Sequence, residues 1–464
     1  MHNPRVGRWV GAFVLVLLAC FGIVASHVRS PLLLQDPDTR VMLDKLAERN
    51  DDWSWFRTDW PLENHFYRPL AALSFQLDRL SFKEDAAGFG LSASLYCAVC
   101  VLALFWLGRE VTDNPACAAG AAILFALWHR GEPLAWDLAA TIAAVVLAGI
   151  GFLRHRARFR NYLPAVLAVS FLAIELNGVF LKESPDGFFS RMLAWLPSRT
   201  ASTMTVFALC ALASYARFER LGSKREVPPS ATDLPATRKS AEATAQPPVP
   251  WIWLIASYIF VVLALGCYEQ AAMLPMILLI VGAAMHAMGY RVRWHWHMPF
   301  WLILAGYVTL RSAVLPMGLS EYQQQQSRSG LTVVLSILQY VFPSLTGATF
   351  WWAALSLGLA VLLTGFFYSF LWRVAGNAVL YYEAFRRSNL CIAMWMASLF
   401  AFAPMAFLKP FAHYHFWPMA LRSLFVVALV GVVWELAVSA ASPPGLQAPA
   451  RPSPAPGSLP HLSG

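Results

Sequence analysis

Charged side chains are scarce in this chain. Asp, Glu, Lys and Arg together make 13% of 464 residues, against 58% hydrophobic. Soluble domains carry roughly 25% charged residues, so most of this chain has too little polar surface to face water. A soluble catalytic domain of ordinary size has no room in it. Cysteine is sparse and odd in number, at seven. Most of it (Cys20, Cys97, Cys100, Cys210, Cys267, Cys391) lies inside apolar stretches, where a thiol behaves as a small hydrophobe. No pair has metal-ligand spacing with a His partner, so neither a disulfide framework nor a zinc site is legible. No internal repeat is visible either.

What is abundant is apolar sequence. A helix needs about 20 mostly apolar residues to cross about 30 Å of hydrocarbon. An opening run, Trp9 to Ser26, follows Arg5 and Arg8 and reads as an uncleaved signal-anchor helix. Later candidate spans are 91–108, 114–129, 137–153, 161–180, 201–216, 251–268, 271–288, 298–316, 350–372, 389–408 and 415–438. The expectation is therefore an all-α, polytopic membrane protein with about twelve transmembrane helices. The shorter apolar piece 331–345 is expected to lie in the interface or re-enter. Many of the 19 Trp fall near segment ends, at headgroup depth.

Short basic loops stay cytoplasmic. Arg154 to Arg160, Arg217 to Arg225, Arg291 with Arg293, and Arg373 with Arg386 and Arg387 alternate consistently with a cytoplasmic N-terminus. This accounts for much of the net charge of +9 without a nucleic-acid partner. The expected organisation is a membrane domain over 1–441, with a long first extracytoplasmic loop at 28–90 and a flexible cytoplasmic loop at 222–250. A Pro-rich disordered tail at 442–464 completes it. A bacterial inner membrane is the expected location.

The loop 28–90 carries the most informative residues. It contains Gln35-Asp36-Pro37-Asp38, Asp51-Asp52-Trp53, Asp59-Trp60-Pro61 and His65-Phe66-Tyr67-Arg68-Pro69-Leu70. A carboxylate at the outer surface can act as general base toward a hydroxyl within about 3 Å. Tyr67 and Arg68 can bind a lipid-borne phosphate, since guanidinium pairs bidentately with phosphate oxygens. The plain alternative is a solvated acidic loop.

The run Tyr67-Arg68-Pro69-Leu70, followed by Leu73-Ser74-Phe75-Gln76-Leu77-Asp78, resembles the signature of the transmembrane O-mannosyltransferase-like proteins of the GT-C superfamily. Four later segments match in the same order. They are Leu124 to Leu127 with Glu132 and Trp136; Ala194 to Thr200, which includes Arg199; Tyr268-Glu269-Gln270 to Pro275; and His413-Tyr414-His415-Phe416-Trp417-Pro418. Together the matches span most of residues 9–438. The sequence departs from the pattern in having Gln35 before Asp36, Tyr268 for a Lys and His413 for an Arg. It also has Ala93 and Cys97 for an Asn and a His, and a long stretch at 137–190 that reads as an inserted helix pair.

The resemblance implies a glycosyltransferase that moves a sugar from a polyprenyl-phosphate donor to an extracytoplasmic acceptor, protein or glycan. It implies Asp36 as the base, with Asp38 the alternate. Donor phosphate would be held by Arg68, Arg199, Arg311 and His413, and Glu132 and Glu269 would position substrate. The partners implied are membrane lipid, the lipid-linked sugar and the acceptor. No further cofactor is expected, and divalent metal dependence stays open. Two other readings stand beside it: a transporter or flippase of a lipid-linked substrate, and an inactive GT-C relative. His295 and His297 read as a membrane-interface belt, and Lys182, Glu183 and Asp186 as a solvated loop.

Overall fold

The computed structural model describes residues 4–49, 52–127, 190–222, 250–316, 318–341, 378–409 and 411–441. Among them the chain is all-helical, with no strand beyond one isolated antiparallel bridge between Ser327 and Leu408. The helices are α1 Pro4–Ala25, α2 Leu32–Gln35, α3 Pro37–Glu48, α4 Pro69–Phe82, α5 Ala86–Thr112, α6 Pro115–Leu127, α7 Ser190–Ala194, α8 Arg199–Leu221, α9 Trp251–Leu265, α10 Leu274–Ala287, α11 Met298–Val314, α12 Glu321–Gln326, α13 Leu331–Val341, α14 Ala378–Phe402 and α15 Phe416–Ala441. Among the described residues, six helical stretches are long and apolar enough to cross a membrane, and α6 and α9 are shorter apolar helices. The expected spans 137–153, 161–180 and 350–372, the loop 222–250 apart from its two end residues, and the tail 442–464 lie outside the described residues. The segment 28–90, expected as a loop between spans, contains the helices α2, α3 and α4.

Burial separates the helices into centre and rim. The span containing α8 is 78% buried, while that of α1 is 22% buried. α8 is rich in Ala, Ser and Thr, and its buried residues include Ala201, Ser202, Thr205, Ala208, Ala211 and Ala213. Small side chains let helices approach closely where lipid gives no hydrophobic drive for association. Its own hydroxyls bond back onto the helix, as in Thr205 Oγ1 to Ala201 O at 2.7 Å, and a hydroxyl of α9 reaches across to it, as in Ser257 Oγ to Ala211 O at 2.9 Å. The rim helices turn large apolar side chains outward: Leu18 and Phe21 on α1, Ile252 and Ile255 on α9, Leu302 on α11, Ile392 on α14. An apolar surface of that extent suits lipid rather than water.

The helix ends sort into two polar layers. One holds Glu110 with Arg217, Asp113 with Arg220, and Glu219 with Arg293. The other holds the end of α1, all of α2 to α4, the starts of α5 and α8, the turn between α9 and α10, the end of α11 with α12, and the turn before α15. The linker after α1 touches α5 so closely that a Cβ at Gly90 would meet Val28 O at 2.0 Å. Leu70 N donates to Gly266 O at 3.0 Å and ties α4 to the end of α9.

Candidate functional site

The second layer encloses a cavity of about 700 Å³. Its wall is built from segments remote in sequence. Asp38 and Val41 come from α3, Trp60 to Phe66 and Arg68 from the loop before α4, and Trp195 and Pro197 from the turn before α8. Tyr268 follows α9, Leu319 to Tyr322 and Gln324 surround the start of α12, and His413 and Tyr414 precede α15.

The loop before α4 is held by Asp59. Its carboxylate accepts from Trp60 N at 2.7 Å, His65 N at 2.8 Å and Phe66 N at 3.0 Å. His65 sits at φ 61°, a left-handed conformation that these bonds stabilise. Burial pushes the Asp59 carboxyl above the usual carboxylate range, against the pull of these N–H groups and of His65. From outside, Arg311 Nη2 donates to His65 O at 3.1 Å, and Ser320 Oγ donates to Asn64 O at 3.1 Å. Ser320 also begins α12 through a reciprocal capping box with Gln323.

Arg68 lies at the cavity wall within an aromatic sleeve. Its guanidinium carbon sits 4.1 Å from the Phe66 ring centroid, 4.4 Å from Tyr268 and 5.6 Å from Trp60. Glu269 accepts two of its N–H groups. The neighbouring Gln270 anchors the wall, donating from Nε2 to Ala401 O at 2.7 Å and Tyr414 O at 3.0 Å. His413 is buried against Trp195, with ring centroids 5.1 Å apart.

The expected site residues divide clearly. Asp38, Arg68 and His413 line the cavity, and Glu269 joins it through Arg68. Asp36 does not line it; its Oδ2 accepts from Thr39 N at 2.9 Å and Thr39 Oγ1 at 3.0 Å as the N-cap of α3. Tyr67 turns its hydroxyl to Phe56 O at 3.1 Å. Arg311 buttresses the loop from behind. Arg199 is fully buried beneath α4, paired with Asp78 and stacked 3.8 Å from the Phe75 ring centroid. Glu132 lies outside the described residues, as do Lys182, Glu183 and Asp186.

His295 and His297 lie at the opposite layer. His297 is buried against Tyr215 and Phe300, with Nε2 2.9 Å from Pro275 O. No cluster of His, Cys, Asp or Glu able to hold a metal occurs among the described residues. Glu63, Glu321 and Tyr322 line the wall without any sequence motif to mark them, and Trp60 joins them there. The Asp-Trp-Pro turn at 59–61 was the available signal for the last. Comparison of the chain with family profiles, with curated proteins and with solved structures returns no match.

Proposed function

We propose that this protein is a membrane glycosyltransferase that moves a sugar from a lipid-linked phosphate donor to an acceptor at the surface formed by the second polar layer. The supporting observation is the cavity itself, where Asp38 shares one wall with Arg68, His413 and several aromatic rings at a helix-end layer. Its volume falls in the range of small-ligand sites. Trp60, Trp195, Tyr268, Tyr322 and Tyr414 offer apolar ring faces, and most offer polar tips, which suits a sugar with both C–H and O–H edges.

In this reading Asp38, rather than Asp36, is the general base. Asp36 caps its helix and does not line the cavity, whereas Asp38 does. The Asp38 carboxylate takes the proton of an acceptor hydroxyl as that oxygen attacks the anomeric carbon. The bond from that carbon to the phosphate oxygen breaks, and the lipid phosphate leaves with the electron pair. Arg68, held by Glu269, fixes the wall against which the sugar is oriented.

The test is sugar transfer in membranes by full-length protein from a polyprenyl-phosphate sugar. Asp38→Asn abolishes transfer on this reading, while Asp36→Asn retains it. Full activity in Asp38→Asn removes the assignment of the base. Movement of donor across vesicles without product formation would instead identify a flippase.

A further inference from the structure

Among the described residues that line the cavity there is one arginine and no lysine. Its wall carries Asp38, Glu63 and Glu321, and its one arginine, Arg68, is held by Glu269. Arg199 is spent on Asp78, and Lys45 on Glu63. A phosphate anion placed against this wall would meet like charge at close range. A donor phosphate therefore needs another seat.

The chain offers one beside the cavity. Beyond the wall residue Gln324, the backbone pairs with the segment leading to His413. Arg328 N donates to Phe407 O at 2.7 Å, Lys409 N donates to Gln326 O at 2.8 Å, and Ser327 bridges Leu408 between them. Side chains alternate along an extended pair, so Arg328 and Lys409 share one face with Phe407. Among the described residues neither cation is paired with a carboxylate. Arg328 is oriented by one bond, Nη1 to Ser336 Oγ at 3.0 Å, which leaves most of its five N–H donors.

Next to these cations lies an apolar ramp. α13 has 11 residues, or about 16 Å of helix, too short to cross a bilayer. One side is pinned to the bundle: Tyr340 stacks on Phe402 at 4.2 Å between centroids, and Arg422 Nη1 donates to Tyr340 O at 2.6 Å. The other side exposes Leu331, Val334, Leu335 and Leu338, continued by Phe407. Two unpaired cations at the head of an exposed apolar ramp match an amphiphile with an anionic head and a hydrocarbon tail.

We propose that Arg328 and Lys409 seat the phosphate of a membrane lipid whose chain lies along α13, delivering the head group to the neighbouring cavity. This rests on the reading of the cavity as a lipid-linked sugar site, and it commits to a lipid-borne phosphate rather than a soluble one.

The experiment measures binding of polyprenyl monophosphate, which carries no sugar, to detergent-solubilised full-length protein. Binding is followed by native mass spectrometry with inorganic phosphate as competitor. One cation near a phosphate surface is worth about fivefold in affinity, so the Arg328→Gln, Lys409→Gln pair is expected to lose roughly thirtyfold. Arg328→Lys, which keeps the charge, retains most of it. Both positions are at least partly exposed, so folding is not at stake, and an unchanged melting profile confirms that. Wild-type affinity in the double neutral variant overturns the proposal. So does displacement by equimolar inorganic phosphate, which marks a soluble-phosphate site. Because no sugar is transferred in this assay, failure of the glycosyltransferase reading leaves its outcome independent.

Discussion

The Arg68 guanidinium donates from Nε and Nη2 to a single oxygen, Oε2 of Glu269, at 2.9 and 2.7 Å, across 201 residues of sequence. The pair clamps the segment after α1 to the turn between α9 and α10, and so closes one wall of the cavity. Its side chains are 10% and 24% exposed. Removing one partner strands a mostly buried charge, which costs roughly 3–5 kcal/mol in a fully buried pair. With this residual exposure, Arg68→Met or Glu269→Met is expected to cost about 2 kcal/mol. The double variant is expected to recover part of that loss, because neither charge is then left alone. Thermal unfolding of the solubilised protein measures both. Additive losses in the double variant would show that the pair is not coupled.

Arg199 and Asp78 form the deeper counterpart. Arg199 has a fully buried side chain, and Ser92 Oγ donates to Asp78 Oδ1 at 3.0 Å on its far side. Asp78→Asn is expected to destabilise by about 3–5 kcal/mol. Arg199→Lys does not rescue the fold, since an ammonium cannot reproduce the planar fork stacked on Phe75. The readout is the yield of monodisperse protein and its unfolding midpoint. Wild-type stability with lost ligand binding in Arg199→Lys would return Arg199 to a substrate role.

What the sequence made legible follows from which forces are local. Apolar length is a local property, so the helices around 91–108, 271–288 and 389–408 could be read directly. The segments that gather at one layer, those of Arg68, Glu269 and His413, were also legible, because topology alone alternates the ends. Which acid faces the cavity was not. Asp36 and Asp38 differ by two residues, and the helix that starts at Pro37 assigns one to its own cap and the other to the wall. Arg199 misled for the same reason: its partner Asp78 lies 121 residues away, and no local pattern announces the pair. The burial of α8 was hidden by its Ser and Thr content, since Thr200, Ser202 and Thr205 turn their hydroxyls back onto carbonyls of their own chain segment.

Asp59 predicts a pH dependence. Burial raises its carboxyl above the usual range in the folded protein. A raised folded pKa means the fold binds the proton more tightly than the unfolded chain does. Its contribution is therefore fully present below the unfolded value of about 4, and is lost as pH rises through the raised folded value. The unfolding midpoint of wild type, relative to that of Asp59→Asn, is expected to fall as pH rises from about 4 through the raised folded value. A difference that widens with pH would mean that the three N–H groups outweigh burial and that the anion is the favoured form.

Asp36 and Asp38 give a separable pair of effects. Asp36 Oδ2 receives the Thr39 N–H and hydroxyl at the start of α3, so Asp36→Ala removes a helix cap and is expected to cost about 1 kcal/mol. Asp36→Asn keeps a capping oxygen and is expected to cost only a few tenths of that. Asp38 lies in the first turn of the same helix, where a negative charge is favoured by the unpaired N–H groups. Asp38→Asn therefore costs about 0.5 kcal/mol, too little to unfold the wall it belongs to. The two substitutions should consequently dissociate, with Asp36→Ala lowering the melting temperature at near-normal transfer per folded molecule, and Asp38→Asn stopping transfer at near-normal melting temperature. If Asp36→Asn abolishes transfer while stability is kept, the base is Asp36 and α3 must start differently when substrate is bound.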